Sequence, residues 1–306
     1  MGLVGVELRR IFSRRILRLV GALAFVGIAT GSITLFVRSH HQTLSVAEAV
    51  QQADARRAAE IVKCSQGEYG VPAQDIPPGE SLQSFCEANI STAPLPNPEY
   101  PLVHIRDAIL GVLGFLIVLA LVLGATFIGA EWHAGSMATL LTWEPRRARV
   151  FAAKAAAAAI FVILATLALL TFLALALLPA ALFRGTTAGA DGGWLLSTVG
   201  LALRGSVIAS AAAVIGLAVA SLGRNTAAAL GGAFVYFAIL EPFTRALRPK
   251  WQPWLLSDNV ATFVLAHAPD GATFTRSPIV AALWLGVITI ALAGASLLAF
   301  QRRDVS

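Results

Sequence analysis

Six long apolar segments dominate the chain, at residues 16–37, 107–130, 155–182, 205–222, 226–244 and 278–300. Each is close to or above the ~20 helical residues that cross a hydrocarbon core of ~30 Å. Inside lipid a backbone must satisfy its own N–H and C=O groups, so such segments cross as helices. The expected fold class is an all-α membrane protein with six transmembrane helices. Composition agrees: 57% of the residues are hydrophobic and 13% charged, with a mean hydropathy of +0.74. An ordinary soluble domain carries about 25% charged residues. Disordered chains, collagen-like chains and ordinary cytosolic enzymes are excluded. The third segment is too long for an untilted span, so it tilts or protrudes. The first is long and lacks an A-x-A site, unlike a cleaved signal peptide.

Arginine and lysine near short loops set orientation. Arg9, Arg10, Arg14, Arg15 and Arg18 precede the first span. Arg146, Arg147, Arg149 and Lys154 lie between spans two and three, Arg224 between four and five, and Arg302 and Arg303 in the tail at 301–306. With six spans all four regions share one face, and they hold over half of the 23 basic residues. Both termini are therefore expected in the cytoplasm of a bacterial cell membrane. No basic stripe interleaved with aromatics occurs, so nucleic acid is not an expected partner.

The segment 38–106 then lies outside. It holds both cysteines, Cys64 and Cys86. Such a pair suits one disulfide in an oxidising compartment, ahead of free thiols. A metal site lacks a Cys-x-x-Cys and a nearby histidine pair. Gln42–Gln66 contains no Gly or Pro and reads as a helix continuing from the first span. Ser81–Asn89 reads as a short helix carrying Cys86. Pro94, Pro96, Pro98 and Pro101 make a stiff return to the membrane. The expectation is a small extracytoplasmic helical and loop subdomain. A core this small needs a staple, and closing that loop contributes ~3 kcal/mol if loop entropy alone is counted.

Residues 1–15 form an amphipathic pattern. Glu7, Arg10, Arg14 and Arg18 make a polar stripe, with Val4, Leu8, Ile11, Phe12 and Ile16 on the other side. A helix of this kind lies in the headgroup plane, apolar face down, with its arginines toward anionic lipid. The alternative is a cytosolic extension of the first span that sets orientation.

The stretch 131–154 is longer than the two to eight residues that a helix connection needs. It runs from Glu131 through Gly135, Met137, Leu140 and Leu141 to Glu144, Pro145 and the basic cluster. Thr139–Trp143 reads as a short helix that Pro145 ends. With the VELRR of the N-terminal helix, the six spans, the LGRN turn at Leu222–Asn225 and a long outer connection at 245–277, the chain resembles the ABC-2 type membrane permeases. These are transmembrane subunits of ATP-binding cassette exporters. The resemblance covers the whole layout, apart from the large segment between the first two spans. It implies that 131–154 is a coupling segment and that Glu131, Gly135, Met137, Leu140, Pro145 and Arg147 lie at or near the ATPase contact. It also implies two copies of an ATPase subunit as partners, together with a second permease chain, either a homodimer or a paralogue. Gly27 and Gly31 form a G-x-x-x-G in the first span, suited to close helix packing within or between chains.

This chain does not carry the ATPase chemistry. A P-loop needs Gly before its Lys and Ser or Thr after it, and Lys63, Lys154 and Lys250 stand in VKC, AKA and PKW. It is therefore not expected to be an enzyme or to hold a cofactor, with ATP and magnesium on the partner. No H-E-x-x-H or G-x-S-x-G occurs. The fourth span is expected to start near Gly205, placing Arg204 at the outer interface. Glu241 and Arg245 stand at ion-pair spacing. The scarcity of carboxylates at mid-depth disfavours ion-coupled transport. The functional reading is an exporter permease. Its rival is a membrane-anchored sensor or assembly protein that binds a ligand or partner through the disulfide subdomain.

Overall fold

The computed structural model describes residues 2–39, 46–72, 76–77, 80–90, 99–136, 142, 144–269, 272 and 274–302. Among these there is no strand. The helices are α1 Leu3–Ser13, α2 Arg15–Arg38, α3 Val46–Ser65, α4 Leu82–Asn89, α5 Ile105–His133, α6 Arg147–Arg184, α7 Gly192–Gly223, α8 Thr226–Phe234, α9 Glu241–Leu247, α10 Leu256–Leu265 and α11 Pro278–Arg302. A π-helical segment, Val235–Leu240, joins α8 to α9. Among the described residues, six helices are long and apolar enough to cross a membrane: Leu17–Arg38, Leu102–Trp132, Arg147–Arg184, Gly192–Gly223, Thr226–Leu247 and Pro278–Arg302. The chain divides into two compact units, one of residues 1–32, 103–177 and 189–306, the other of 33–102 and 178–188.

In the larger unit, α5 and α7 form the tightest pair. They run parallel because glycines remove the side chains that would hold them apart. A β-carbon at Gly124 would strike the Ala213 backbone, one at Gly216 the Leu121 carbonyl, and one at Gly205 the Leu113 side chain. Small residues give lipid-embedded helices the van der Waals contact that a hydrophobic effect cannot supply there. The turn between spans four and five has a local cause. Arg224 adopts a left-handed conformation (φ 52°) that ends α7, and the Asn225 side chain accepts from Ala227 N–H at 2.8 Å to start α8.

Three sequence expectations change in this unit. Span four starts at Gly192, not Gly205, because Asp191 caps it by accepting from Trp194 N–H at 2.7 Å. Arg204 therefore lies about 18 Å along that helix. Span three starts at Arg147, so Arg147, Arg149 and Lys154 belong to a helix rather than to a loop. Glu241 and Arg245 do not pair with each other. Arg245 bonds Asp258 at 3.0 Å, while Glu241 accepts from the Ser257 N–H at 2.9 Å and from the Ser257 hydroxyl. The first turn of α10 offers free N–H groups and a positive dipole end, which draws the Glu241 carboxylate away from Arg245. The connection 245–277 is accordingly built around α10.

The smaller unit carries α3 and α4. Cys64 and Cys86 are bonded and both buried, with a Cα–Cα distance of 6.0 Å. Ser81 and Ser84 form a capping box that starts α4. Arg57 reaches from α3 to the carbonyls of Ile90 and Glu87 at 3.1 and 3.0 Å, satisfying the open C-terminal end of α4. The helix of the first span does not continue through this region. It ends at Arg38, Ser39 is not helical, and α3 begins at Val46. Residues 40–45 and 91–98 lie outside the described residues.

Candidate functional site

The buried charge of the larger unit gathers where α1, the end of α5 and the start of α6 meet. Lys154 is fully buried, and so is Glu7 at 1% exposure. The Lys154 ammonium donates to Glu7 Oε2 at 3.1 Å and to Glu131 Oε1 at 2.8 Å. It also stands 4.9 Å from the centre of the Phe127 ring. Two carboxylates and an aromatic face thus surround a group with three N–H donors. Arg10 donates to the other Glu7 oxygen at 3.2 Å.

Local helix electrostatics do not account for this arrangement. Glu131 sits in the last turn of α5, where the helix dipole disfavours an anion. Lys154 sits inside an alanine-rich stretch of α6. Tertiary pairing holds them. Desolvating such ions costs several kcal/mol each, and removing one partner from a buried pair costs about 3–5 kcal/mol because the other stays charged and dry. Glu131 Oε2 is buried and has no hydrogen-bond partner among the described residues.

Arg14 fastens the same corner. The chain leaves the helical conformation at Arg14, between α1 and α2. Its guanidinium donates to the Thr126 and Phe127 carbonyls, both at 3.2 Å, and lies 5.0 Å from the Phe127 ring centre. Burial pushes the Arg14 guanidinium below its ordinary range, opposed by the nearby Glu131 and Glu7 charges. The polar stripe read on α1 is therefore turned partly into the protein. Glu7 and Ile11 are buried, whereas Phe12 is 62% exposed.

Of the residues expected at the ATPase contact, the structure brings Glu131 and Arg147 to this corner. Arg147 donates to the Phe300 carbonyl at 3.3 Å, close to the negative end of α11. Phe300 in turn packs on Trp132 and Phe151. Gly135 takes a left-handed conformation (φ 67°) just past α5, the position that stops a helix. Pro145 is exposed just before α6. Met137, Leu140 and the expected helix Thr139–Trp143, apart from Thr142, lie outside the described residues. The two helices that flank the segment 137–141 are thus pinned to each other and to α1 by one buried lysine.

A family model described as ABC-2 family transporter protein matches residues 1–248. The chain belongs to that family. No curated protein and no solved structure matches it. ABC-2 membership makes this a multi-pass membrane component of an ABC transporter, a class that works with an ABC ATPase. The match runs through α1–α9 and contains the whole Glu7–Glu131–Lys154 cluster. Sequence reasoning singled out Glu131 but missed its partners. By its place in the sequence Lys154 groups with the topological arginines, and Glu7 falls on the polar stripe of an interfacial helix. One signal was available: Lys154 shares a helix face with Val150, Ala157 and Ala158, so a charge on that face needs a counter-charge.

Proposed function

We propose that this chain is the permease subunit of an ATP-driven exporter. Two such chains, or one and a paralogue, form the path across a bacterial cytoplasmic membrane, with both termini in the cytoplasm. Two copies of a separate ATPase subunit bind ATP and magnesium. Closure of the ATPase pair pushes on the segment 131–147 and shifts the bundle between inward-open and outward-open arrangements. Glu131, Gly135, Met137, Leu140, Pro145 and Arg147 line or support that contact.

The observation that carries this reading is the buried Lys154 that ties Glu131 to Glu7. A push on the loop between α5 and α6 then moves α5, α6 and α1 together rather than bending one connection. Open glycine faces support the paired assembly: a β-carbon added at Gly27 or Gly31 has no neighbour within 4 Å beyond its own helix backbone.

The test uses the chain co-purified with its ATPase subunit and reconstituted in vesicles. Glu131→Ala, and separately a deletion of Met137–Leu141, reduce the complex's ATP hydrolysis to that of the isolated ATPase subunit, while the permease stays folded by thermal melting. Normal coupled hydrolysis in both variants refutes the coupling role. The sensor reading rests on the disulfide-held α3–α4 unit. It requires the chain to work without a nucleotide-hydrolysing companion, so failure of an ATPase to co-purify would favour it.

A further inference from the structure

A second set of polar side chains lies at the other end of the α5–α7 seam, away from Lys154. The packing of Gly205 on Leu113 and of Gly124 on Ala213 fixes the register of this parallel pair. Arg106 stands two turns before Leu113, on the stripe of Leu113 and Ala120, both buried. Arg204 adjoins Gly205 and shares a stripe with Leu201 and Ile208, also buried. Trp194 lies on that stripe one turn before the buried Thr198.

These donors lack acceptors. Arg106 Nε and Trp194 Nε1 are buried without a hydrogen-bond partner among the described residues. Arg204 gives its Nε to the Val264 carbonyl at 3.1 Å, and no described residue accepts from its two terminal nitrogens. Neither arginine has a carboxylate partner among the described residues, and the two positive charges lie within electrostatic reach of each other. A buried donor left unsatisfied costs about 1–3 kcal/mol, and more when charged. Intramembrane arginines are kept where they hold a counter-charge.

We propose that Arg106 and Arg204 form a binding site for the phosphate of a phosphate ester. A guanidinium pair matches the several acceptor oxygens of phosphate. The anion relieves the repulsion between the arginines. The phosphate can come from a membrane lipid or from a soluble ester.

The test uses the full chain in neutral detergent, titrated with dioleoyl phosphatidylglycerol, with dioleoylglycerol as the phosphate-free control, and followed by native mass spectrometry and thermal melting. Phosphatidylglycerol binds and raises the melting temperature; dioleoylglycerol does neither. Arg106→Gln and Arg204→Gln each weaken binding about tenfold or more. Arg248→Gln, which removes an exposed arginine, weakens it less than about twofold. Glycerol phosphate that competes at similar strength assigns the site to a soluble ester, and failure to compete assigns it to lipid. Without any ligand Arg106→Gln melts no lower than the native chain, since Arg106 makes no bond within the described protein. Equal binding by the native chain and both variants overturns the proposal. So does an equal loss in Arg248→Gln, or a lower melting temperature of ligand-free Arg106→Gln.

Discussion

Spans one and four are both apolar and both carry glycines, yet they are held in opposite ways. Most of span four is buried against its own chain, 67% of its apolar window, whereas span one buries 11%. Span four owes its place to packing, since the space beside Gly205 and Gly216 is filled by the side chains and backbone of α5. Span one has open glycines, a stack of Phe25 on Phe172, and a fastening at its N-terminal side. That fastening is ionic: Glu7 to Lys154, and Arg14 to the α5 carbonyls. The difference separates two jobs. One helix pair forms a fixed core, and another helix is held at its ends, by the ionic anchor at one and by Arg184 donating to the Phe36 carbonyl at 3.1 Å at the other, while most of its surface stays free for lipid or for a second chain.

The largest expected effect comes from breaking the ionic anchor. Lys154→Met leaves Glu131 without its cation and the buried Glu7 with Arg10 alone, a loss of the kind that costs about 3–5 kcal/mol. Thermal melting in detergent reads the loss, and protease cleavage near Ser13–Arg14 reads the release of α1. Replacing Glu7, Glu131 and Lys154 together by Gln, Gln and Met recovers most of the stability, because the charges leave as a set. If the triple variant is no more stable than Lys154→Met, the ionic account of the anchor is wrong.

The contrast also marks what a sequence discloses. The six spans, the all-helical class, the Cys64–Cys86 bond and the family were legible, because length, hydropathy and residue order carry them. The start of span four was not. Arg204 reads as a boundary charge when lipid is taken as the only surroundings, but inside the bundle it reaches the Val264 carbonyl, and the helix begins twelve residues earlier at the Asp191 cap. Lys154 and Glu7 failed to register for a related reason. Each is unremarkable on its own helix, and their pairing spans 147 positions of sequence. Glu241 and Arg245 were read as a local pair. Spacing along one helix ignores the competing N-terminus of α10, which the fold brings to the carboxylate.

Packing in the core pair gives the next effect. Gly124→Val places a branched side chain where the Ala213 backbone now lies, and backbone cannot rotate aside. Overpacking of this kind costs typically about 1–3 kcal/mol. It lowers the melting temperature and raises proteolysis between α5 and α7. A variant that melts like the native chain would mean that the close approach of α5 and α7 is not what fixes the core.

Gly31→Leu inverts the expectation. A β-carbon added at this position meets nothing within 4 Å, so the stability of the single chain stays within about ±0.5 kcal/mol. What changes is association, because a bulky residue on a small-residue face keeps a second helix from approaching. Cross-linking in vesicles therefore shows fewer paired chains for Gly31→Leu than for the native protein, at unchanged melting in dilute detergent. A fall in melting instead would place Gly31 in a contact within the chain, and span one would then be packed like span four. Unchanged melting with unchanged cross-linking would leave the open face to lipid and move the search for the pairing surface to Gly231 and Gly232, whose added β-carbons also meet nothing in this chain.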